Sequence, residues 1–253
     1  YRAPLRSATD TPMPNAESTL ELFRDDAYLG HCTATVRAVV ERSVVLDRTV
    51  FYPEGGGQPG DRGRLVTADG HEFAITTTRK DPVHGICHVL ADDAPTPAVG
   101  TAVTAHIDWS LRHRHMRMHT CLHLLCSLIP HPVTGGAIAA DRGRLDFDMG
   151  EGIDRDAVER ALNTLITADH PVGTRWITDD EMQANMDLVR TMSVKPPLGS
   201  GRVRLVDVEG VDLQPCGGTH VARTGEIGRV TLGKVENKGK HNRRVNVLFA
   251  ESE

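Results

Sequence analysis

No apolar run in the 253 residues approaches the roughly 18 needed to cross a bilayer as a helix. The start, which is Tyr1 rather than a methionine, carries no signal-peptide pattern. Cysteine is sparse. Five residues, an odd number at irregular spacing, argue against a disulfide framework and for a reducing, cytoplasmic home. No internal repeat is visible, and a formal net charge of -5 gives no global reason to expect a nucleic-acid partner. What is present reads as an ordinary soluble globular chain, 39% hydrophobic and 25% charged, long enough for one large or two modest domains. Positive charge is concentrated in two places, "RHRHMR" (112–117) and "KVENKGKHNRR" (234–244), and a local patch is what a phosphate backbone feels. Histidine is the compositional outlier, with thirteen copies.

Residues 1–17 are rich in Pro, Ser and Thr without periodicity, which predicts an extended lead-in. Apolar residues then alternate from Cys32 through Ala34, Val36 and Ala38 to Val40, the period of a half-buried strand. Short strands are expected around Val44–Leu46, "FAITTT" and "ICHVL", separated by "GGGQPGDRG", "ADG" and "DPVHG", so this part reads as a small all-β unit. "ADDAPTPAVGT" (91–101) is either a boundary or a late loop of that unit. After Trp109 a stripe of Leu111, His115, Met118, Leu122, Leu125 and Ile129 predicts a long helix ending before Pro130. A second helix is expected over 154–168, with Val158, Leu162 and Leu165 inward. A third is expected to start at a Thr178/Glu181 capping box. "RVRLVDV", "EIGRVTLGKVE" and "RRVNVLFA" read as strands. Helices and strands are segregated, which makes the second part α+β with a mostly antiparallel sheet.

In "PCGGTH" a cysteine and a histidine stand four apart with two glycines between them. Each glycine would cost about 1 kcal/mol in a helix, so a tight turn bringing Cys216 and His220 to one point is the better reading. On the long helix, His119 and His123 are one turn apart and about 40° round, at the edge of the apolar stripe, where both imidazoles can reach one ion. His115 lies within the stripe and reads as a satisfied core histidine. Together the two pairs make a Cys/His3 set suited to zinc. Cys32, Cys87, Cys121 and Cys126 lack such partners and read as small apolar fillers.

"FYPEGGGQPGDRG" (51–63), "RMHTCLHLL" (117–125), "RLDF" (144–147) and "VDLQPCGGTHVARTGEIG" (211–228) together resemble the signature stretches of the free-standing alanyl-tRNA editing proteins of AlaX type, which are similar to the editing domain of alanyl-tRNA synthetase. The resemblance runs from about residue 30 to 250. It implies a lead-in (1–17), a small glycine-rich β-barrel domain (18–105) and an α+β editing domain (106–253). Its implied activity is hydrolysis of the ester joining a wrong amino acid, chiefly serine, to the 3′ end of alanine tRNA. It carries over a zinc ion on His119, His123, Cys216 and His220, with a zinc-bound water as nucleophile and no separate side-chain base. The family's pattern implies a small residue such as alanine where Cys121 stands; by helix geometry Cys121 points away from the metal pair.

The resemblance also implies that "TGG" is a pocket loop, in which Thr134 pairs with the serine hydroxyl while Gly135 and Gly136 admit the substrate. Arg144 and Asp146 are expected in a structural ion pair. Gly56, Gly57 and Gln58 are expected in a positioning loop facing the editing domain rather than in catalysis. Lys234, Lys238, Lys240, Arg243 and Arg244 are the candidate contacts to the tRNA backbone. Four protein ligands make a closed site, whereas catalytic zinc keeps a position open. Expansion of the coordination, a loosely held His220, or a zinc that orients substrate would each resolve this. Rival readings are a deacylase for another mischarged tRNA or related ester, and a non-catalytic zinc-containing tRNA-binding module. A full synthetase is not expected, since nothing resembles an aminoacylation core.

Overall fold

The computed structural model describes residues 18–93, 95–192 and 201–250; the expected lead-in at 1–17 lies outside them. The first strands are β1 (Leu20–Glu21), β2 (His31–Val40), β3 (Ser43–Leu46), β4 (Arg48–Thr49), β5 (Gly63–Thr67), β6 (Glu72–Asp81), β7 (Gly85–Leu90) and β8 (Ala102–Ile107). β1 and β4 form a short parallel pair. The other six close into an antiparallel barrel in the order β2-β3-β7-β6-β5-β8. Closure removes the open edges that a small sheet would otherwise present. Its interior is filled by Val36, Val44, Leu46, Phe51, Leu65, Ile75, Leu90 and Ala105. The described residues of 91–101 (91–93 and 95–101) lie between β7 and β8, both barrel strands, which makes them part of a late barrel loop.

Helix α1 (Trp109–Leu128) follows at once, its N-terminus capped by Asp108, whose carboxylate accepts from the Leu111 N–H at 3.1 Å. The expected stripe was too narrow. Met116, Thr120, Cys121, Leu124 and Cys126 are buried as well, so α1 is wrapped on most sides. His115 is buried as expected, but its Nδ1 has no hydrogen-bond partner among the described residues, so it is not a satisfied core histidine. Arg112, in the stretch read as a basic surface, is fully buried. Its guanidinium pairs with Asp61 of "PGDRG" and donates to the carbonyls of Ala27 at 3.0 Å and Val50 at 2.6 Å. A buried charge survives only when so satisfied, and this pair ties α1 to the barrel.

Beyond α1 come β9 (Val133–Ile138), β10 (Arg142–Asp148), α2 (Arg155–Thr167), β11 (Val172–Thr178), α3 (Asp179–Ala184), β12 (Arg202–Val208), β13 (Asp212–Pro215), β14 (Val230–Leu232), β15 (Glu236–Gly239) and β16 (Asn242–Phe249). One sheet runs β14-β16-β10-β9 with β15 on β16, and another runs β11-β12-β13. Both are antiparallel. The capping box at Thr178 and Glu181 is formed. α2 buries Leu162 and Ile166 deeply, with Val158 and Leu165 partly covered. "EIGRVTLGKVE" is not one strand: a 3-10 turn (Thr224–Ile227) precedes β14, and β15 begins after a break. "TGG" lies within strand β9, not in a loop. The sheet core, of residues such as Leu124, Phe147, Leu162, Val245 and Val247, packs around α1.

Candidate metal centre

α1 and the turn after β13 bring His119, His123, Cys216 and His220 together, with one donor atom of each within 4.8 Å of the others. The ring centroids of His119 and His220 are 4.2 Å apart, those of His123 and His220 4.7 Å, and those of His119 and His123 5.4 Å. Cys216 Sγ lies 3.5 Å from His119 Nε2 and 3.3 Å from His220 Nε2. Gly218 lets the turn close. A Cβ on Gly218 would sit 2.2 Å from His119 Cε1, so no side chain fits there. Arg204 of β12 clamps the turn by donating to the carbonyls of Cys216 and Gly218, both at 2.9 Å.

Each imidazole is held from behind. His119 Nδ1 meets Gln58 Oε1 at 2.9 Å, His123 Nδ1 meets Asp212 Oδ2 at 3.0 Å, and His220 Nδ1 meets Thr120 Oγ1 at 3.1 Å. The Gln58 amide is oriented by Thr219, whose backbone N–H donates to Oε1 at 3.1 Å while Nε2 donates to Thr219 Oγ1 at 2.8 Å. Gln58 Oε1 and the Asp212 carboxylate can only accept, so His119 and His123 carry their protons on Nδ1. Their Nε2 atoms then face the cluster, the arrangement in which outer partners orient metal-ligating histidines, and an ion binding there would displace any proton they carry. Burial opposes charge on His123, yet Asp212 and the Cys216 thiolate push its pKa up to about 10. Burial also works against a Cys216 thiolate, but His119 and His220 beside it pull its pKa well below the ordinary thiol value. Burial and the neighbouring His119 push His220 well down, favouring the neutral ring that ligation requires. Four donors of these types, backed in this way, fit a metal ion.

The other cysteines stay apart from the cluster. Cys121 is fully buried, and burial raises its thiol to about 12. Cys126, raised to about 11 chiefly by burial, contributes to the floor of a cavity of about 890 Å³ that opens beside His119, His123 and Cys216. That volume suits a ligand of drug or nucleoside size. Leu122, Val133 and Leu145 extend the floor, and Gly55, Gly56 and Gly57 form one wall. Gly57 has φ +83° and lies against Gly136, where a Cβ would meet the carbonyl oxygen at 2.9 Å. The Ile138 N–H donates to Gly57 O at 2.9 Å, stitching the glycine loop to β9.

Gly136 lines the cavity, whereas Thr134 and Gly135 are not among its lining residues. Thr134 donates its hydroxyl to the Asp146 carbonyl at 3.1 Å and accepts from Asn242 Nδ2 at 3.4 Å. Asp146 pairs with Arg144 and, through two hydrogen bonds of 2.7 and 2.9 Å, with Arg244. Lys234, Lys238 and Lys240 are exposed, with Lys238 paired to Glu236. Arg243 donates to the carbonyls of Gly150 and Gly239, and Arg244 ties β16 to Asp146 of β10. Sequence reasoning assigned no role to Asp212, Thr120 or Arg204. Asp212 stands inside the quoted "DLQPCGGTH", four residues before the cysteine, and was the one most open to notice.

Residues 203–246 match the family described as the threonyl and alanyl tRNA synthetase second additional domain, and residues 14–111 match the class II (A) tRNA synthetases. The alanyl-tRNA editing protein AlaX-M of Methanosarcina acetivorans is 39% identical over 236 residues, covering 88% of this chain and 96% of that protein. The chain belongs to the alanyl-tRNA editing protein family. The AlaX-M of Saccharolobus solfataricus is 32% identical, with 90% of this chain and 97% of that protein covered. An alanine–tRNA ligase of Pyrobaculum calidifontis is 35% identical over 86% of this chain, which spans only 25% of the ligase. Among the described residues no helix is long and apolar enough to cross a membrane.

Proposed function

We propose that the protein is a trans-editing hydrolase that deacylates mischarged alanine tRNA, chiefly Ser-tRNA(Ala), by zinc-dependent ester hydrolysis. The observation that supports this best is the backed Cys/His3 cluster opening on a cavity of about 890 Å³. The relatives are alanyl-tRNA editing proteins, which supports the substrate class. Zinc bound by His119, His123, Cys216 and His220 would supply Lewis acidity where the ester carbonyl becomes negatively charged.

The chain's own residues do the rest. Gln58 and Asp212 fix the tautomers of His119 and His123, Thr120 orients the His220 ring, and Arg204 fixes the cysteine turn. The apolar floor formed by Leu122, Cys126 and Leu145 limits bulk water around the ester. We assign the β9 stretch of Thr134, Gly135 and Gly136 to recognition of the amino-acid side chain; of the three, Gly136 alone lines the cavity. Thr134 already donates its proton to Asp146, so toward a serine hydroxyl its Oγ1 can only accept. Alanine offers nothing to such an acceptor. Lys234, Lys238, Lys240, Arg243 and Arg244 are the phosphate contacts we assign to tRNA, the two arginines also engaging Gly150, Gly239 and Asp146. We read 18–105 and 106–253 as two domains meeting at Gln58 and His119, acting in the reducing cytoplasm that suits a free Cys216 thiol.

The test is metal content measured alongside ester cleavage in His123→Ala and Cys216→Ala. Both should lose zinc and deacylase activity together. Full metal occupancy in both variants would show that the ligands are elsewhere.

A further inference from the structure

The cavity beside the metal cluster has charged and aromatic groups in its lining besides the apolar ones. In a chain of net charge -5, five cationic side chains (Arg24, Lys80, Arg190, Arg202 and Arg204) line it against two carboxylates. One of the chain's two tryptophans, Trp176, lies on the same wall and is 37% exposed. Trp176 sits on β11 directly opposite Arg204 of β12, and cross-strand neighbours share a face. Arg204 reaches inward to the Cys216 turn, and Arg202, two residues along on the same face, lays its guanidinium over the Trp176 ring at 4.3 Å. A path thus runs from the metal donors through Arg204 to the Trp176 ring, one face of which the Arg202 guanidinium covers.

An aromatic ring set among arginines beside a cavity is the chemistry that holds single-stranded nucleic acid, with a base on the ring and phosphates on the cations. We propose that Trp176 and Arg202, with Arg190, form a seat for the single-stranded 3′ end of tRNA, stacking a nucleotide just before the one whose ester is cleaved. This seat is separate from the lysines of the β15–β16 hairpin. The nature of its occupant rests on the hydrolase reading above, but its occupancy can be measured without any ester.

In a Trp109→Phe background, Trp176 is the sole tryptophan and reports on stacking directly. Its fluorescence should be quenched on titration with a short RNA ending in CCA and not by inorganic phosphate. In kinetics on mischarged tRNA, Trp176→Ala should raise KM about tenfold, the range lost with one stacked base, while kcat holds and Trp176→Phe restores most of the loss. Arg202→Gln, at an exposed position, should lower the salt slope of RNA binding by about 0.7, the value for one single-strand phosphate contact. Absence of quenching with unchanged KM, or a fall in kcat alone, would overturn the seat while leaving the hydrolase reading intact. Quenching by RNA in a protein that cleaves no aminoacyl ester would keep the seat and remove the hydrolase. Should Trp176→Ala not fold, an unchanged salt slope in Arg202→Gln would still count against the proposal.

Discussion

Gln58 of the barrel's glycine loop holds Nδ1 of His119 at 2.9 Å across 61 positions of sequence. The contact makes the "GGGQ" loop part of the metal centre: the amide, fixed by Thr219, dictates which nitrogen of His119 faces the cluster. Such outer partners typically contribute 10- to 100-fold in metal affinity or activity. Gln58→Ala should therefore weaken zinc binding by about that factor, read by competition with a chelating dye, while the fold persists. Unchanged zinc affinity would reduce the contact to packing.

Asp146 is the acidic hub of the β9–β10–β16 sheet. The Arg244 hydrogen bonds first, against the cost of burial, and then Arg144 hold its carboxyl below the ordinary value of 3.8. A depressed carboxylate stabilises the fold above its unfolded pKa, and the contribution is lost as pH falls through the folded one. Asp146→Asn should cost about 2 kcal/mol at pH 7 in urea unfolding. The difference from the wild type should shrink below about pH 4. A gap that stayed constant down to pH 2 would mean the loss is steric.

Much of this centre was legible because its spacing is local. HxxxH on a helix and CxxxH around two glycines each declare themselves within five residues, as do the stop at Pro130 and the Thr178 capping box. What escaped depends on distant partners. "TGG" looks like a loop until Gly57, whose lack of a Cβ permits the close approach, is seen packed on Gly136 of β9. Arg112 looks like surface charge until Asp61 buries with it. The stripe on α1 was drawn too narrow because the helix is enclosed on several sides rather than lying on a surface.

Thr134 carries the discrimination we assign to the β9 stretch. Thr134→Val removes the acceptor with little change of volume and should reduce the preference for serine over alanine at least tenfold in kcat/KM. It should also cost the sheet about 1 kcal/mol through the lost bond to Asp146. A lost bond with preference retained would leave Thr134 a sheet residue only.

The hairpin lysines make a separate electrostatic prediction. Replacing Lys234, Lys238 and Lys240 by glutamine should flatten the salt dependence of tRNA binding by about two to three in slope, as expected for lost phosphate contacts. Zinc content should not change. An unaltered slope would return these lysines to an ordinary solvated surface.

The central claim is proofreading by ester hydrolysis, and the most direct test is deacylation of Ser-tRNA(Ala) beside Ala-tRNA(Ala) by the purified zinc-loaded protein at equal substrate concentrations. The account predicts rapid loss of serine with alanine largely spared. If neither ester is cleaved while zinc is bound, or both are cleaved at the same rate, the protein is not the editing hydrolase described here.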